Sequence, residues 1–254
     1  MTARATTRVD CHVKVLNDRV VENARRAGID VLVYAPHFVR LPEVRRQATA
    51  YSTDQVTVLP AREVFTGSWR DRKHVLAVGL EEPVPDFITL EGAMAELDRQ
   101  GAAVLAPHPE FLTVSLTESD LRQYRDVVDA AEFFNPKHLP WHNRRARELI
   151  ADLELAPFTS SYAHLSSSVG VAHVEFDRPI ETTAEFVDAL TADAPRRVRH
   201  DNGFGRVRTT TAELAHLCYE NTWKKVDRLW LSGMEPTHPD HAVYGGRFGD
   251  VAVY

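Results

Sequence analysis

The sequence predicts an α/β protein made of consecutive strand and helix units around a parallel sheet, and three observations carry that expectation. Short β-rich runs alternate with amphipathic segments over roughly the first 200 residues. Strands begin at intervals of roughly 20–30 residues, the length of one strand-and-helix unit. Runs such as IDVLVY at 29–34 are apolar without interruption, as in a strand covered on both faces.

Residues 9–15 read as the first strand. A helix follows over 17–27, with Leu16, Val20, Ala24 and Ala27 at helical spacing and Gly28 just past its end. The strand at 29–34 stops before Pro36, and a short helix is expected over 43–51. Strands at 56–59 and 74–80 precede a helix over 90–99 whose stop is Gly101. The strand at 102–106, a short segment at 119–124, the strand at 127–134, the helix at 143–153 and the strand at 155–159 keep the rhythm, giving about seven strands. A helix at 183–190 and a strand at 196–199 would close or cap the sheet. Beyond them Thr210-x-x-Glu213 has the form of a capping box opening a helix to about Leu231, followed by an irregular tail.

The chain's 254 residues need no disulfide or metal merely to hold a core, and no repeat or low-complexity linker divides it, so one domain with a helical C-terminal addition is expected. Thirty Lys and Arg against 36 Asp and Glu give a net charge of −6, which excludes a basic nucleic-acid coat and an anionic-membrane binder. Cys11 and Cys218 are too far apart for a CxxC motif and form no disulfide framework. Residues 1–10 carry Arg4 and Arg8 without an apolar stretch, and no segment is apolar over the length of a membrane span, so a cytoplasmic protein is expected.

Histidine is the unusual residue in this composition. There are 12, against 2 Cys, so metal chemistry would run through imidazole and carboxylate. In a parallel α/β barrel the residues just beyond the strand ends converge on one face. His37, Glu63, His108 and His164 each follow a predicted strand within a few residues, His12 lies in the first strand, and His74 opens the strand HVLAVGL. Several buried neutral imidazoles converging without a shared ion would leave ring nitrogens unsatisfied, which favours metal binding at the cluster.

These residues carry a family resemblance. Asp10-Cys11-His12-Val13-Lys14 resembles the opening Asp-x-His-x-His of the PHP family, the polymerase and histidinol phosphatase phosphoesterases, and Ala35-Pro36-His37 resembles its Thr-Asp-His. Pro60 through Glu63 is similar to its Gly-x-Glu, and His74 through Leu80 to its HvLalGl strand. Gly101 through Pro107-His108-Pro109 resembles its Gly-Gly-x-x-x-x-Ala-His-Pro, and Ser161-Tyr162-Ala163-His164 with Val169-Gly170 its closing Ser-Asp-x-His…Gly. The ordered set spans residues 9–176.

The resemblance implies a distorted (β/α)7 TIM-like barrel over residues 1–200, with 201–254 as a C-terminal helix and tail packed on it, and a cluster of up to three divalent metals that hydrolyses phosphate esters. Glu63, His74 and His108 would form one complete metal position. His37 and His164 would supply part of a second, and His12 with Glu63 would remain for a third. One or two ions of Zn, Mn or Fe are expected, since the donors are mostly imidazole.

The chain departs from the pattern at Lys14, where the second histidine belongs, at Tyr162, where an aspartate belongs, at Pro36, and in having no histidine between His12 and His37. The expectation is that the Lys14 ammonium takes the place of a metal, supplying fixed charge near Glu63 and the substrate phosphate. Tyr162 or a bound water would protonate the leaving alkoxide. Arg144 and Arg145, in a basic patch with Lys137 and Arg147, are expected to bind a substrate phosphate, and a second patch holds Arg196, Arg197 and Arg199.

Other signals carry less. His138 and His142 are separated by Pro140 and read as loop or rim residues; His173, His200 and His216 have structural readings, and His238 and His241 have none assigned. The glycines at 203 and 205 form no dinucleotide fingerprint, and Ser160 and Ser161 lack a nucleophile elbow. The expected function is therefore a metal-dependent phosphoesterase acting on a phosphorylated small molecule, a nucleotide or a short nucleic acid. The alternative is a degenerate barrel of the same ancestry that binds RNA or a complex, like the RNase P protein that resembles this superfamily. Six retained ligands favour the enzyme.

Overall fold

The computed structural model describes residues 6–68, 71–111, 114–200 and 236–253. Its elements run β1 (Thr7–Val13), α1 (Asp18–Arg26), β2 (Val31–Tyr34), α2 (Leu41–Tyr51), β3 (Thr57–Thr66), β4 (Lys73–Val78), α3 (Leu90–Arg99) and β5 (Ala103–Ala106). They continue as α4 (Glu118–Gln123), β6 (Ala130–Phe134), α5 (Pro140–Asp152), β7 (Pro157–Thr159), β8 (Ala172–Phe176), α6 (Thr183–Thr191) and β9 (Arg196–His200). The expected helix from Thr210 to Leu231, with His216, Cys218, Trp223 and Trp230, and the 203–205 loop lie outside the described residues.

Among the described residues nine strands form one sheet, ordered β7-β6-β5-β4-β3-β2-β1-β8-β9. It curls into a nearly closed barrel: Val13 bridges Ala163 just beyond β7, and the Lys14 amide donates to the Ala163 carbonyl at 2.9 Å. The fold is therefore the expected α/β barrel, and its distortion has a definite form. The ladders β1–β2–β3 and β5–β6–β7 are parallel, whereas β4 runs antiparallel to both β3 and β5, and β8 runs antiparallel to β1 and β9.

The expectation of an all-parallel sheet is thus corrected. Strand β3 extends to Thr66, well past the expected end at 59, and β4 starts at Lys73. The residues between them are too few for the crossover of a dozen or more that parallel neighbours need. Helix α5 likewise starts earlier than expected, at Pro140, a residue suited to a first helical turn because its missing N–H has no partner to lose there.

Side-chain alternation divides the barrel wall into an interior layer and an outer one. Val9, Cys11, Val31, Val33, Leu59, Ala61, Leu76, Val78, Ala103, Leu105, Ala130 and Phe158 pack together as the apolar interior. Outside, Val64, Val75, Ala77 and Val104 pack against Met94 and Leu97 of α3 and Leu149 of α5. Leu32 and Val58 meet Val20 and Ala24 of α1 and Val44 of α2. Residues 236–253 lie on the α3 side, where Tyr244 and Phe248 join the outer core and Val253 donates to the Phe87 carbonyl at 3.0 Å. Burying such an aromatic ring is worth about 1.5–3 kcal/mol.

Candidate metal centre

The interior alternation continues upward into polar residues. On β3 the set Leu59, Ala61 leads to Glu63, and on β4 the set Val78, Leu76 leads to His74, so the antiparallel pairing of Phe65 with His74 puts both polar side chains on the same rim. Strand β1 reaches that rim differently. A register irregularity between Asp10 and Val13 shifts the inward-facing set from Val9 and Cys11 to His12 and Lys14. Bulges of this kind re-aim side chains beside functional sites.

Glu63 is the hub, fully buried and approached on both oxygens. Around Oε1 stand three imidazole nitrogens, His12 Nε2, His74 Nδ1 and His108 Nε2, each 3.6 Å away. Around Oε2 stand the Lys14 ammonium, which donates to it, and His37 Nδ1 at 2.8 Å. Lys14 also donates to the Ala35 carbonyl at 2.8 Å. The carboxylate thus has an imidazole side and an ammonium side.

Donor atoms of Glu63, His74 and His108 lie within 4.8 Å of one another, and this is the one set of its kind among the described residues. None of Glu63 Oε1, His74 Nδ1 and Nε2, or His108 Nε2 has a hydrogen-bond partner, although all are buried. Two ligands of a tetrahedral ion with bonds of about 2.1 Å stand about 3.4 Å apart, close to the observed spacing around Oε1. Buried unpaired polar atoms are costly, so this group is a site shaped for a cation.

The electrostatics follow from burial and from the hub. Burial alone would raise the Glu63 carboxyl, but Lys14, His37, His74 and His12 together hold it well below the usual carboxylate range. Burial and then Lys14 push His12 well down and His37 down to about 4, so both rings are neutral at neutral pH. Burial also lowers the Lys14 ammonium to about 8, against the pull of Glu63.

Tyr162 occupies the ground between the remaining groups, with a left-handed φ of 48°. Its ring centroid is 4.9 Å from those of His12 and His164 and 5.5 Å from that of His108. Lys137 sits over its face at 4.4 Å and Lys14 at 5.7 Å. His37 and His164 approach within 5.8 Å, ring to ring, and His164 Nδ1 lies 2.7 Å from the Lys137 ammonium.

The structure therefore brings His12, Lys14, His37, Glu63, His74, His108, Tyr162 and His164 into one cluster. Arg144 and Arg145 are on α5 and carry carboxylate partners, Glu148 at 3.9 Å and Glu118 at 2.7 Å. From the same basic patch it is Lys137 that turns inward. His138 is buried and stacks on Phe111 at 4.0 Å, with His142 edge-on to that ring, so both histidines serve as wall rather than ligand.

Ser115 and Glu132 escape sequence reasoning, and Asp10 enters it only as part of the opening motif. Ser115 meets His108 Nδ1 at 2.9 Å. Glu132 accepts from the His108 amide at 2.8 Å, and its charge inside the apolar strand AAEFF was a legible signal. Asp10 accepts from the Ser161 and Gly170 amides at 2.9 and 3.0 Å, fixing the segment that carries Tyr162 and His164.

No curated protein sequence matches the chain. The profile of the PHP-associated family, PHP_C, matches residues 140–195. Among solved structures, PsfC from Pseudomonas syringae PB-5123 superposes with a TM-score of 0.63 at 18% identity, covering 84% of this chain and 100% of that one. The lesion-specific endonuclease PfuEndoQ from Pyrococcus furiosus gives 0.55 at 14% identity over 76% of this chain and 57% of its own. An amidohydrolase from Chromobacterium violaceum gives 0.54 at 12% identity over 71% of this chain and 96% of its own. These likenesses show the barrel fold; the PHP-associated match covers residues 140–195, and the ordered motifs resemble those of the PHP family, with Lys14 and Tyr162 standing where that pattern has a histidine and an aspartate.

Proposed function

We propose that the chain is a metal-dependent phosphoesterase, with a divalent ion held by Glu63, His74 and His108. The observation that carries this reading is the convergence of their buried, unpartnered donor atoms. Two imidazoles and one carboxylate suit Zn, Mn or Fe better than Mg. When bound, the ion supplies Lewis-acid charge to the phosphoryl group and to the attacking water.

The chain's own residues supply the rest. Lys14, pinned between Glu63 and the Ala35 carbonyl, presents fixed positive charge where charge develops on the equatorial phosphoryl oxygens. The Tyr162 hydroxyl would donate a proton to the leaving alkoxide, with its ring held between Lys137 and the imidazoles. Phe38, Phe65 and Phe87 form an apolar wall against His37 and His74 that limits water at that side.

The substrate class is a phosphate ester of a small metabolite, a nucleotide or a short nucleic acid. Fold-level likeness to endonuclease Q, whose structure holds a 27-mer duplex with an abasic lesion, supports the nucleic-acid end of that range, although the chain spans only 58% of that protein. A second phosphate would meet Arg144 and Arg145 only in exchange for Glu148 and Glu118. No helix among the described residues is long and apolar enough to cross a membrane.

Elemental analysis of protein purified without chelator, paired with an ester panel in Mn and Zn, tests the reading. At least one ion per chain and turnover that disappears in His108→Ala are expected. Less than one ion, unaffected by His74→Ala or His108→Ala, would sink the metal site. A bound ion with no turnover on any ester would favour the RNA- or complex-binding barrel.

A further inference from the structure

We propose that the site holds a single divalent ion and that two ammonium groups, Lys14 and Lys137, take the places of the others as resident cations. The inference rests on the metal reading of Glu63, His74 and His108 and adds the number of ions to it. On the Glu63 side the Lys14 ammonium and His37 Nδ1 together take up Oε2, the oxygen through which the carboxylate would reach a second ion.

Lys137 closes the other position. Its side chain reaches from the loop before α5, donates to the Tyr162 carbonyl and meets His164 Nδ1 at 2.7 Å. His164 Nδ1 also lies 3.0 Å from the Tyr162 carbonyl, but the ammonium is the nearer neighbour, already donates to that carbonyl and has only hydrogens to offer, so Nδ1 is assigned as its acceptor and the ring proton to Nε2. Neither nitrogen of His164 then presents a lone pair to a metal. His37 is left as the sole imidazole at that position, and one ligand does not hold an ion.

The placement of Lys137 is built rather than incidental. Its amide donates to Asn135 Oδ1 at 3.0 Å, and Asn135 Nδ2 donates to Glu132 Oε2 at 2.9 Å. The same Glu132 oxygen receives the His108 amide, so one buried carboxylate sets both the imidazole that would bind the ion and the loop that carries the replacing ammonium. Lys137 is 6% exposed and Lys14 is 7% exposed, depths at which lysines occur only with partners. Their ammonium groups flank the Tyr162 ring at 4.4 and 5.7 Å, which leaves an anion entering above that ring two fixed positive charges and one metal.

The test is a count and a location. Wild-type protein loaded with excess Zn or Mn and desalted is analysed for metal, and its crystals are measured at the metal edge. One ion per chain, with a single anomalous peak among Glu63, His74 and His108, is the expected result. Two or more ions, or a peak beside His37 and His164, would overturn the inference and leave the metal reading standing; no ion would overturn both. Lys14→His with Tyr162→Asp restores the ligands and should raise the count from one to two, and no gain in that folded double variant would count against Lys14 as a replaced ion. Independently of any variant, ¹⁵N imidazole shifts of wild-type protein should show His164 with its proton on Nε2, and a proton on Nδ1 would refute the Lys137 contact.

Discussion

The Nδ1 atom of His108 lies 2.9 Å from the hydroxyl of Ser115, and that hydroxyl donates its one proton to the Phe111 carbonyl at 2.8 Å. Ser115 can therefore only accept from the ring. This fixes the tautomer with hydrogen on Nδ1 and turns the bare Nε2 toward Glu63, 3.6 Å away. Partners of this kind orient a metal-binding imidazole, and their removal costs about 10–100-fold in affinity. Ser115→Ala is expected to weaken metal binding by about that factor with little change in fold, as read by competition with a chromophoric chelator. Unchanged affinity would show that the ring is oriented by other means.

Glu132 offers a sharper contrast because three donors depend on it. Its oxygens accept from the His108 amide, Asn135 Nδ2 and Ser160 Oγ at 2.8 to 2.9 Å, and burial pushes its carboxyl up. The His108 backbone, with φ at 36°, needs that anchor. Glu132→Ala should cost about 3 kcal/mol in urea denaturation, since it strands buried donors. Glu132→Gln can still accept from the two nitrogens while its amide faces the Ser160 hydroxyl, so its cost should stay below about 1 kcal/mol. Equal losses in the two variants would mean that charge, not hydrogen bonding, is what the site needs.

Much of this fold was legible because apolar runs and helix stops are local signals. Asn17 and Gly28 bracket α1 in the structure as they do in the sequence. Strand direction is not local, and it was hidden by an early end assigned to β3: stopping at 59 leaves room for a crossover that the true connection between Thr66 and Lys73 does not have. Strand β8 was missed for a related reason, since Ala172, Val174 and Phe176 are buried while His173 and Glu175 are not, an alternation rather than a continuous run. At the site, the residues that converge could be read from order along the chain. The contact between Lys137 and His164 could not, because it exists only once the barrel brings the segments after β6 and β7 together.

Asp120 gives a prediction with a pH sign. Its carboxylate accepts from the Thr117 amide at 2.8 Å, closing the capping box of α4, and from Lys73, the neighbour of His74 at the start of β4, also at 2.8 Å. Burial opposes ionisation, yet Lys73 and Thr117 hold the carboxyl below its usual value. A lowered folded value means that the stabilisation is complete above the unfolded value of about 4 and is lost as pH falls through the folded one. Asp120→Ala should therefore cost about 1–2 kcal/mol at pH 7, and the difference from wild type should shrink below about pH 4 in denaturant titrations. A difference that stays constant down to pH 3 would assign the loss to packing instead.

The arginines of α5 separate two kinds of substrate. Arg145 is held by Glu118 at 2.7 Å and Arg144 is exposed beside Glu148 at 3.9 Å, so neither is committed to the cluster in the way Lys137 is. A monophosphate bound at the ion would engage Lys14 and Lys137 and leave the arginines with their carboxylates. A bis-phosphorylated nucleotide or a nucleic-acid backbone extends further and can exchange those carboxylates for phosphate, a charge-assisted and often bidentate contact for Arg. The paired substitution Arg144→Ala with Arg145→Ala should accordingly leave kcat/KM for a monophosphate within about threefold of wild type while lowering it about tenfold or more for the bis-phosphorylated analogue. Equal effects on both substrates would remove the arginines from recognition and place specificity at the lysines alone.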